Sequence, residues 1–241
     1  MARTVIVGDL HGCRRELEDL LGYVGFGNDD KLVSVGDLVV RGPDPRGVIK
    51  VIRALGGRAV RGNHEDRLLR WKESRGTAQE LVIGKLTRKT AEVLRPRDWE
   101  FLQRLPLWID LPEHGVRVVH AGLIPGVPIE AQDPRTLLYV RTLGHRGEPI
   151  EQRGRSWAHW YGGPEHVVFG HNALPVPEIA PFATGIDTGV VYGGRLTAMV
   201  LRSGESPPPA NERRGVLVSV PSRRVYCQIG VKPRTSPPTA R

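Results

Sequence analysis

Five short segments of the 241-residue chain share one pattern, in which an apolar run ends at glycine and at a side chain that can bind a metal ion. They carry Asp9 and His11, Asp37, Asn63 and His64, His120, and His171. Glycine lets the backbone turn sharply and approach a ligand closely. In Asp9-Leu10-His11 both polar side chains project from one side of an extended segment, because strand side chains alternate. One such histidine is more often structural than a ligand, but five segments together predict a metal site.

The remaining histidines and the cysteines lie outside this pattern. We expect ordinary surface or packing roles for His114, His145, His159 and His166. The two cysteines cannot form a disulfide framework and belong to no CxxC pair, so zinc or redox chemistry is not indicated. Cys13 adjoins the first segment and is expected to serve packing.

The elements that must position the five segments form a repeated β-loop-α pattern. Residues 4–7 are a β-branched run, and residues 14–21 place apolar side chains at helical spacing. The pattern returns with a run at 31–35, a helix at 46–55 and a run at 58–60. Open α/β sheets place ligands at the carboxyl ends of their strands. The sequence therefore predicts a layered α/β fold with the metal site at those ends.

The second half of the chain is expected to be rich in strands. Apolar runs between turns indicate strands at 116–120, 167–169, 184–186, 196–201, 216–220 and 225–229. Residues 66–105 are helical in pattern and basic, with a break at Pro96, so we expect a basic cap or flank there.

Length and composition are those of an ordinary globular protein, with 39% apolar and 25% charged residues. They favour a single α/β domain over 1–231, followed by a flexible tail over 232–241. No run approaches the roughly 20 apolar residues of a membrane span, and the first residues lead into a strand rather than a signal peptide. We therefore expect a cytoplasmic location.

The net charge of +9 suits an anionic partner without identifying it. Nucleic acid, an anionic membrane surface and small anionic substrates all gain from positive potential. The arginines are scattered along the chain, so a general solubility surface explains the charge equally well.

In their order, the motifs GDLHG, GDLVVRG, GNHE, HAG and GH resemble the calcineurin-like metallophosphoesterases of the phosphoprotein phosphatase superfamily. The resemblance covers about residues 4–201. GDLVVRGPD, and GIDTG followed by GGRLTAM from Gly185 onward, resemble the bacterial branch that contains the symmetrical diadenosine tetraphosphatases. The resemblance implies a hydrolase with the layered fold of that family, in which helices flank β-sheets.

The resemblance also implies a binuclear metal centre. Asp9 and His11 would hold one ion, Asp37 would bridge both ions, and the second ion would be held by Asn63, His120 and His171. Mixed carboxylate, imidazole and amide ligands suit borderline or hard divalent ions, which favours Mn²⁺, with Fe, Zn or Co as alternatives. Two ions about 3.5–4 Å apart lower the pKa of a shared water and stabilise both oxygens of an in-line displacement.

Further residues are expected to bind or protonate the substrate. Arg41 matches the phosphate-binding arginine of the family, and Arg141 is a second candidate, because a guanidinium can bind two phosphate oxygens at once. His64 resembles the general acid that protonates the leaving oxygen. Asp187 is either a residue that orients a ligand or a strand-end turn aspartate. The expected catalytic set is His64, Arg41 and Asp37, and the expected phosphate-binding set is Arg41, Asn63 and Arg141.

One position departs from the protein phosphatases of the superfamily. Their motif GDxVDRG carries an Asp that partners the catalytic histidine, and this chain has Val40 there. Without that carboxylate, His64 is expected to be less firmly oriented and to have a less elevated pKa. Proton donation matters most for poor leaving groups such as a serine alkoxide. Val40 therefore favours phosphoanhydride substrates over phosphoserine.

A polyphosphate substrate would also suit a set of basic and aromatic side chains, provided that they reach the site. The basic residues are Arg67, Arg70, Lys72, Arg75, Lys85, Arg88 and Lys89, and a solvated helical face explains them equally well. Candidates for base stacking are Trp71, Trp157, Trp160 and Tyr161, which also fit packing roles.

The leading hypothesis is hydrolysis of dinucleoside polyphosphates, with diadenosine tetraphosphate cleaved to two ADP. The alternatives are a Ser/Thr or Tyr phosphoprotein phosphatase with the same catalytic residues, an enzyme that processes RNA 5′ ends, and an inactive phosphate-binding relative. An inactive relative would lack ligands, whereas all the implied ligands and His64 are present. We expect an anionic phosphate substrate, a nucleotide or a phosphoprotein, with RNA as an open alternative and no membrane partner.

Overall fold

The computed structural model describes residues 2–228. The helices are α1 Arg14–Tyr23, α2 Pro45–Ala54, α3 Asn63–Ser74, α4 Lys85–Val93, α5 Pro96–Gln103 and α6 Pro134–Tyr139. The strands are β1 Arg3–Val7, β2 Lys31–Ser34, β3 Arg58–Ala59, β4 Trp108–Leu111, β5 Val116–Val119, β6 Thr142–Leu143, β7 Pro149–Ile150, β8 His166–Phe169, β9 Glu178–Ile179, β10 Ala183–Gly185, β11 Arg195–Arg202 and β12 Leu217–Pro221. The tail predicted at 232–241 lies outside the described residues.

Two five-stranded sheets contain most of the strands. The first has the order β12-β11-β1-β2-β3, and its strands β1, β2 and β3 run parallel. The second has the order β4-β5-β8-β10-β9, and its strands β5, β8 and β10 run parallel. In both sheets the outer strands pair antiparallel with the parallel group. The short strands β6 and β7 pair with each other in a separate two-stranded sheet.

The two large sheets pack face to face, with helices on their outer faces. Ile6 and Val33 of the first sheet share a buried cluster with Val118 and Val168 of the second. Side chains of α1, α2, α3 and α5 pack on the other face of the first sheet, and α6 packs near the outer face of the second. Val5 and Val7 face the helices while Ile6 faces the second sheet, so β1 is apolar on both sides. The arrangement confirms the layered α/β fold.

Local sequence signals explain where several helices begin. Pro45 is the first residue of α2, where its missing N–H costs nothing, and the Asp44 carboxylate accepts a hydrogen bond from the Gly47 N–H at 2.8 Å. The predicted break at Pro96 is the start of α5, where Asp98 accepts from the Arg95 N–H at 2.9 Å. Among the helices of residues 2–228, none has the length and apolar character needed to cross a bilayer.

One predicted strand was wrong over its described part. Residues 225–228 of the run predicted at 225–229 form no strand, and Ile229 lies outside the described residues. The backbone N–H groups of Tyr226 and Cys227 both donate to the carbonyl of Val191, and the Tyr226 hydroxyl donates to Glu16 at 2.7 Å. Tyr226 and Cys227 therefore pack against the helix-side core without a strand partner, while Val225 is exposed.

Candidate active site

The polar residues of the five motifs follow the carboxyl ends of parallel strands from both sheets. Asp9, Asp37 and Asn63 come after β1, β2 and β3, and His120 and His171 come after β5 and β8. Asp37 lies within reach of histidines on both sides, which means that the two sheets bring their strand ends to one place. This is the position that the strand pattern predicts for a ligand site.

The backbone at these positions is unusually constrained. Within residues 2–228, the non-glycine residues with positive φ are His11, Asp37, Val40, Arg41 and His171, with φ between 44° and 72°. Such conformations are uncommon outside glycine, and Val40, at φ 69°, is β-branched. Backbone strain of this kind concentrates at functional sites and persists only when surrounding contacts enforce it.

Hydrogen bonds between the motif loops supply that enforcement. The carbonyl of Asp37 accepts from the N–H groups of Leu10 at 3.1 Å and His11 at 2.6 Å. The buried carboxyl of Glu65 accepts from the N–H groups of Val39 at 3.2 Å and Gly62 at 2.9 Å. Burial and the nearby Asp37 raise the pKa of Glu65 to about 8. The GNHE motif therefore holds the second and third loops together, a role that the sequence did not assign to Glu65.

Two glycines show how closely the backbone approaches the acidic groups. A Cβ atom at Gly62 would overlap the Asp37 carboxylate, and one at Gly170 would overlap the Asp9 carboxylate. Any larger residue at either position would displace a carboxylate that the sequence predicts to be a metal ligand.

Asp37 lies between two groups of potential metal ligands. One group is His11, Asp37 and His64, and the other is Asp37, His120 and His171, with all ligand atoms of a group within 4.8 Å of one another. Asp37 Oδ2 lies 3.6 Å from His11 Nε2 and 4.0 Å from His64 Nε2, while Oδ1 lies 3.6 Å from His120 Nε2. The two oxygens thus face different groups, an arrangement that lets one carboxylate bridge two ions.

The side of the site that faces the second sheet has the donor chemistry of a cation site. His120 Nδ1 is 2.9 Å from the Val35 carbonyl, which can only accept, so this nitrogen donates and Nε2 carries the lone pair in the neutral ring. That Nε2 lies 3.0 Å from Asn63 Oδ1, and His171 Nδ1 lies 3.1 Å from the same oxygen. Within the described residues, His171 Nε2 is buried without a hydrogen-bond partner. Acceptor atoms that face one another in this way fit a bound metal ion.

Burial determines the protonation of the site histidines. It lowers the pKa of His11 to about 3 and of His64 to about 4, and it lowers the pKa of His171. Neutral imidazoles offer the lone pairs that metal coordination needs. For Asp37, burial would raise the pKa, but the facing histidines His120, His64 and His11 hold it below its usual range.

Asp9 lies next to the two ligand groups but belongs to neither. Its two carboxylate oxygens accept from the His171 N–H at 3.1 and 3.2 Å. Burial, followed by the charges of Asp187 and Asp37, raises the pKa of Asp9. Asp9, Asp37 and Asp187 are three buried carboxyl groups close together, and a divalent cation would stabilise their charged forms.

Asp187 has the hydrogen bond of a turn residue. Its carboxylate accepts from the Gly189 N–H at 3.0 Å, and no histidine within residues 2–228 hydrogen-bonds to it. Burial raises its pKa to about 6. Of the two roles that the sequence allowed for Asp187, the observed contacts match the strand-end turn.

A cavity of about 110 Å³ opens onto the predicted metal ligands. It is lined by Asp37, Arg41, Asn63, His64, Arg141, Arg153, His171, Ala173, Asp187 and Tyr192. Arg41 donates to His11 Nε2 at 2.9 Å, and its guanidinium lies 5.4 Å from the centre of the Tyr192 ring. Arg141 donates to the Glu151 carbonyl at 2.9 Å, while its Nε has no partner within the described residues. Both predicted phosphate-binding arginines thus line the cavity.

Sequence reasoning missed Arg153 and Tyr192 as lining residues. Arg153 lies in the loop after β7 and donates to the Ala173 carbonyl at 3.1 Å, which turns it towards the cavity. Tyr192 lies in a short helical turn a few residues after the GIDTG motif, and burial raises its pKa to about 12. The only sequence signal for Tyr192 was its closeness to that motif, and Arg153 had none.

His64 lines the cavity with one ring nitrogen unpartnered in the described residues. Val40 is buried in the apolar cluster beneath the helices, and within residues 2–228 His64 Nδ1 is buried without a hydrogen-bond partner. Its other ring nitrogen faces Asp37. No carboxylate of the described residues therefore hydrogen-bonds to Nδ1 of His64, the predicted acid.

The basic segment 66–105 flanks the first sheet rather than covering the cavity. Its apolar residues Leu68, Trp99 and Leu102 pack in the helix-side core, and none of its residues lines the 110 Å³ cavity. The seven basic side chains named above are exposed, which agrees with a solvated helical face.

The candidate stacking residues divide into two kinds. Trp71, Trp157 and Tyr161 are buried packing residues, and Trp157 donates to the Ala121 carbonyl at 3.0 Å. Trp160 is different, because 57% of its surface is exposed.

The family model described as calcineurin-like phosphoesterase matches residues 2–203. The chain belongs to the calcineurin-like phosphoesterase family. It is therefore a hydrolase of a family that uses a binuclear metal centre, and the two ligand groups around Asp37 provide candidate residues for that centre.

Relatives within the calcineurin-like phosphoesterases include enzymes of two kinds. Bis(5′-nucleosyl)-tetraphosphatase PrpE [asymmetrical] of Oceanobacillus iheyensis is 32% identical over 219 residues, with 80% of this chain and 86% of the relative covered. Serine/threonine-protein phosphatase 1 of Salmonella typhimurium is 36% identical over 200 residues, with 80% and 88% covered. A crystal structure described as a candidate diadenosine tetraphosphatase has a TM-score of 0.78 and 37% identity, with 91% and 93% covered.

Proposed function

We propose that this phosphoesterase cleaves phosphoanhydride bonds of dinucleoside polyphosphates such as diadenosine tetraphosphate. The observation that carries the proposal is the unpartnered Nδ1 of His64, together with the apolar Val40 at the position where the protein phosphatases carry a carboxylate. Burial lowers the pKa of His64 to about 4, so the histidine is a weak source of protons near neutral pH. A nucleotide phosphate leaves with little help from an acid, whereas a serine alkoxide needs it.

The proposed metal centre uses the residues around Asp37. We assign Asp9, His11 and Asp37 to one ion, and the second ion to Asp37, Asn63, His120 and His171, with Mn²⁺ as the expected metal. The facing acceptors of His120 and Asn63 and the free Nε2 of His171 support the second site. Support for the first site comes from His11 and Asp37, with Asp9 fixed beside them by the His171 N–H. Bound divalent ions would lower the pKa of the attacking water and oppose the charge of the phosphates.

The protein's own groups would bind and orient the phosphates. Arg41, Arg141 and Arg153 line the cavity and present guanidinium groups that match phosphate oxygens. Arg41 packs on the Tyr192 ring beside the cavity, and its hydrogen bond to His11 Nε2 would give way to the ion that His11 is proposed to hold. His64, at the start of α3, lies where it can donate a proton to a leaving oxygen. Burial of Asp37 keeps bulk water away from its charge, so its electrostatic interactions are less screened.

The bond that is cleaved has two candidates. The motif resemblance favours cleavage at the centre of the tetraphosphate, with two ADP as products. The name of the Oceanobacillus relative specifies asymmetrical cleavage, which favours ATP and AMP. Separation of the nucleotide products by ion-exchange chromatography decides between them.

A protein phosphatase is the second candidate, because the Salmonella relative is named for that activity. The decisive test is turnover of diadenosine tetraphosphate and of phosphoserine and phosphotyrosine peptides by metal-stripped enzyme resupplied with Mn²⁺. A higher kcat/KM for the dinucleotide supports the proposal. A higher kcat/KM for either peptide overturns it and leaves the metal centre intact. The RNA 5′-end hypothesis stays a prediction.

A further inference from the structure

The structure contains a second cavity of about 590 Å³. Its lining includes the apolar residues Ile124, Leu143 and Ile150, together with Trp160 and Arg155. We call this cavity the Trp160 groove. None of its lining residues belongs to the five motifs or to the proposed metal centre.

Trp160 is the one strongly exposed tryptophan among the five of the chain, all of which fall in the described residues. The Arg155 guanidinium lies 4.8 Å from the centre of its ring. A cation over one part of an indole leaves its remaining surface open, and 57% of Trp160 faces solvent. Exposed aromatic rings next to arginine are the usual platforms on which nucleic-acid bases stack.

The groove and the catalytic cavity share two chain segments. Arg141 lines the catalytic cavity and Leu143, two residues later, lines the groove. Arg153 and Arg155 are divided between the two cavities in the same way. The Arg141 N–H donates to the carbonyl of Ile150, a groove residue, at 2.9 Å. Two residues of extended chain span at most about 7 Å, so the cavities are neighbours.

The charges of the two cavities differ in a way that suits one elongated ligand. The catalytic side presents Arg41, Arg141 and Arg153. The groove side is largely apolar, and its one arginine, Arg155, is offset by Glu148, whose carboxylate would repel a phosphate but accept hydrogen bonds from a base. A phosphate chain therefore fits at the arginines, and an uncharged aromatic base fits in the groove.

We propose that the Trp160 groove binds one nucleoside of the substrate, with its base stacked on Trp160 and its phosphates extending past Arg153 and Arg141 to the metal centre. This assignment rests on the proposed function. It makes Trp160 a specificity-determining residue, because stacking accepts any base but requires a nucleoside.

The test compares kinetics on diadenosine tetraphosphate and on p-nitrophenyl phosphate, an ester without a nucleoside, using Mn²⁺-loaded enzyme. Trp160→Ala should raise the KM for the dinucleotide on the order of 10-fold and lower the ratio of the two kcat/KM values accordingly. Trp160→Phe, which keeps a stacking ring, should regain most of that loss. Phe182→Ala is the matched control, because Phe182 is an exposed aromatic residue that lines neither cavity.

The outcomes separate this assignment from the proposed function. If wild-type enzyme cleaves the dinucleotide and Trp160→Ala has the same KM and ratio, the groove assignment is wrong and the function stands. If wild-type enzyme cleaves p-nitrophenyl phosphate but not the dinucleotide, the proposed function fails, and ADP titration of tryptophan fluorescence decides the groove. Saturable quenching that Trp160→Phe abolishes supports nucleoside binding, and no quenching overturns it.

Discussion

The two ends of β5 and β8 carry buried histidines in opposite environments. At the amino ends, His114 bonds to the Glu205 carbonyl at 2.6 Å and to Thr4 Oγ1 at 2.8 Å, and His166 bonds to Thr184 Oγ1 at 2.9 Å. At the carboxyl ends, His120 and His171 share one oxygen of Asn63.

The comparison shows that burial alone does not identify a functional histidine. All four rings are buried, but the amino-end histidines face hydroxyl and carbonyl groups suited to hydrogen bonds. The carboxyl-end pair face acceptors, carboxylates and each other, with ring centres 5.0 Å apart. Protein groups complete the bonding of the first pair, whereas His171 Nε2 of the second pair has no partner in the described residues and is free to bind a cation.

The largest expected effect comes from removing the carboxylate between the two ligand groups. Asp37→Asn keeps the size of the side chain but loses the negative charge, so kcat/KM should fall on the order of 10³-fold. His166→Gln, at the opposite strand end, is the control and should keep most of its activity. Circular dichroism checks that both variants are folded. More than a tenth of wild-type activity in Asp37→Asn would contradict the binuclear assignment.

The second largest expected effect is a loss of stability in the carboxyl-end region when the metal is removed. Buried Asp9, Asp37 and Asp187 repel one another without a cation, and Mn²⁺ at 100 times its Kd adds about 2.7 kcal/mol of stability. For a chain of this size we expect a rise in Tm of about 5–10 °C when Mn²⁺ is restored. Differential scanning fluorimetry measures it. Asp37→Asn should show a smaller rise, and an equal rise in both proteins would locate the metal elsewhere.

A partner for His64 should shift substrate preference. Val40→Asp introduces the carboxylate that the protein phosphatases carry, which should raise the pKa of His64 and improve proton donation. The ratio of phosphoserine-peptide to dinucleotide kcat/KM should rise on the order of 10-fold. Val40→Asn is the control, because asparagine tolerates positive φ equally well but has no charge. The same ratio in both variants would show that His64 is not limited by its missing partner.

The smallest expected effect is on stability and concerns His166 at the amino end of β8. Burial, with Arg213 nearby, lowers the pKa of His166 to about 3. Below about pH 6.5 the unfolded chain therefore binds a proton that the folded chain does not, and stability falls by up to about 1.4 kcal/mol per pH unit. His166→Gln should therefore reduce the pH dependence of the free energy of unfolding between pH 6 and 4 by up to about 1.4 kcal/mol per pH unit. Urea titrations at both pH values measure it, and parallel pH dependence in the two proteins would refute the argument.

Sequence alone could predict the carboxyl-end region because its signals are local. Each motif joins a strand end, a glycine and a polar residue within a few positions, and the run at 31–35 is observed as β2. The helix predicted at 14–21 is observed as α1 with two more residues. The confirmed family and fold follow from the order of those motifs.

The remaining features of the site and fold depend on tertiary contacts that no local sequence pattern predicts. Arg153 and Tyr192 reach the cavity from a loop and a short turn, so their roles depend on tertiary placement. The two-residue strands β6 and β7 are too short for any periodicity. The run at 225–229 resembles a strand in composition, but its N–H groups bond to Val191 instead of a neighbouring strand.

The hairpin of β6 and β7 pairs with neither large sheet. Its length and side chains can therefore vary without disturbing the strand ladders that hold the metal-ligand candidates in register. During evolution the hairpin can therefore change in sequence and length while the two large sheets stay the same. Replacing the hairpin residues 142–150 by the equivalent segment of a relative, with Arg141, Arg153 and Trp157 kept, is a route to new substrate preferences.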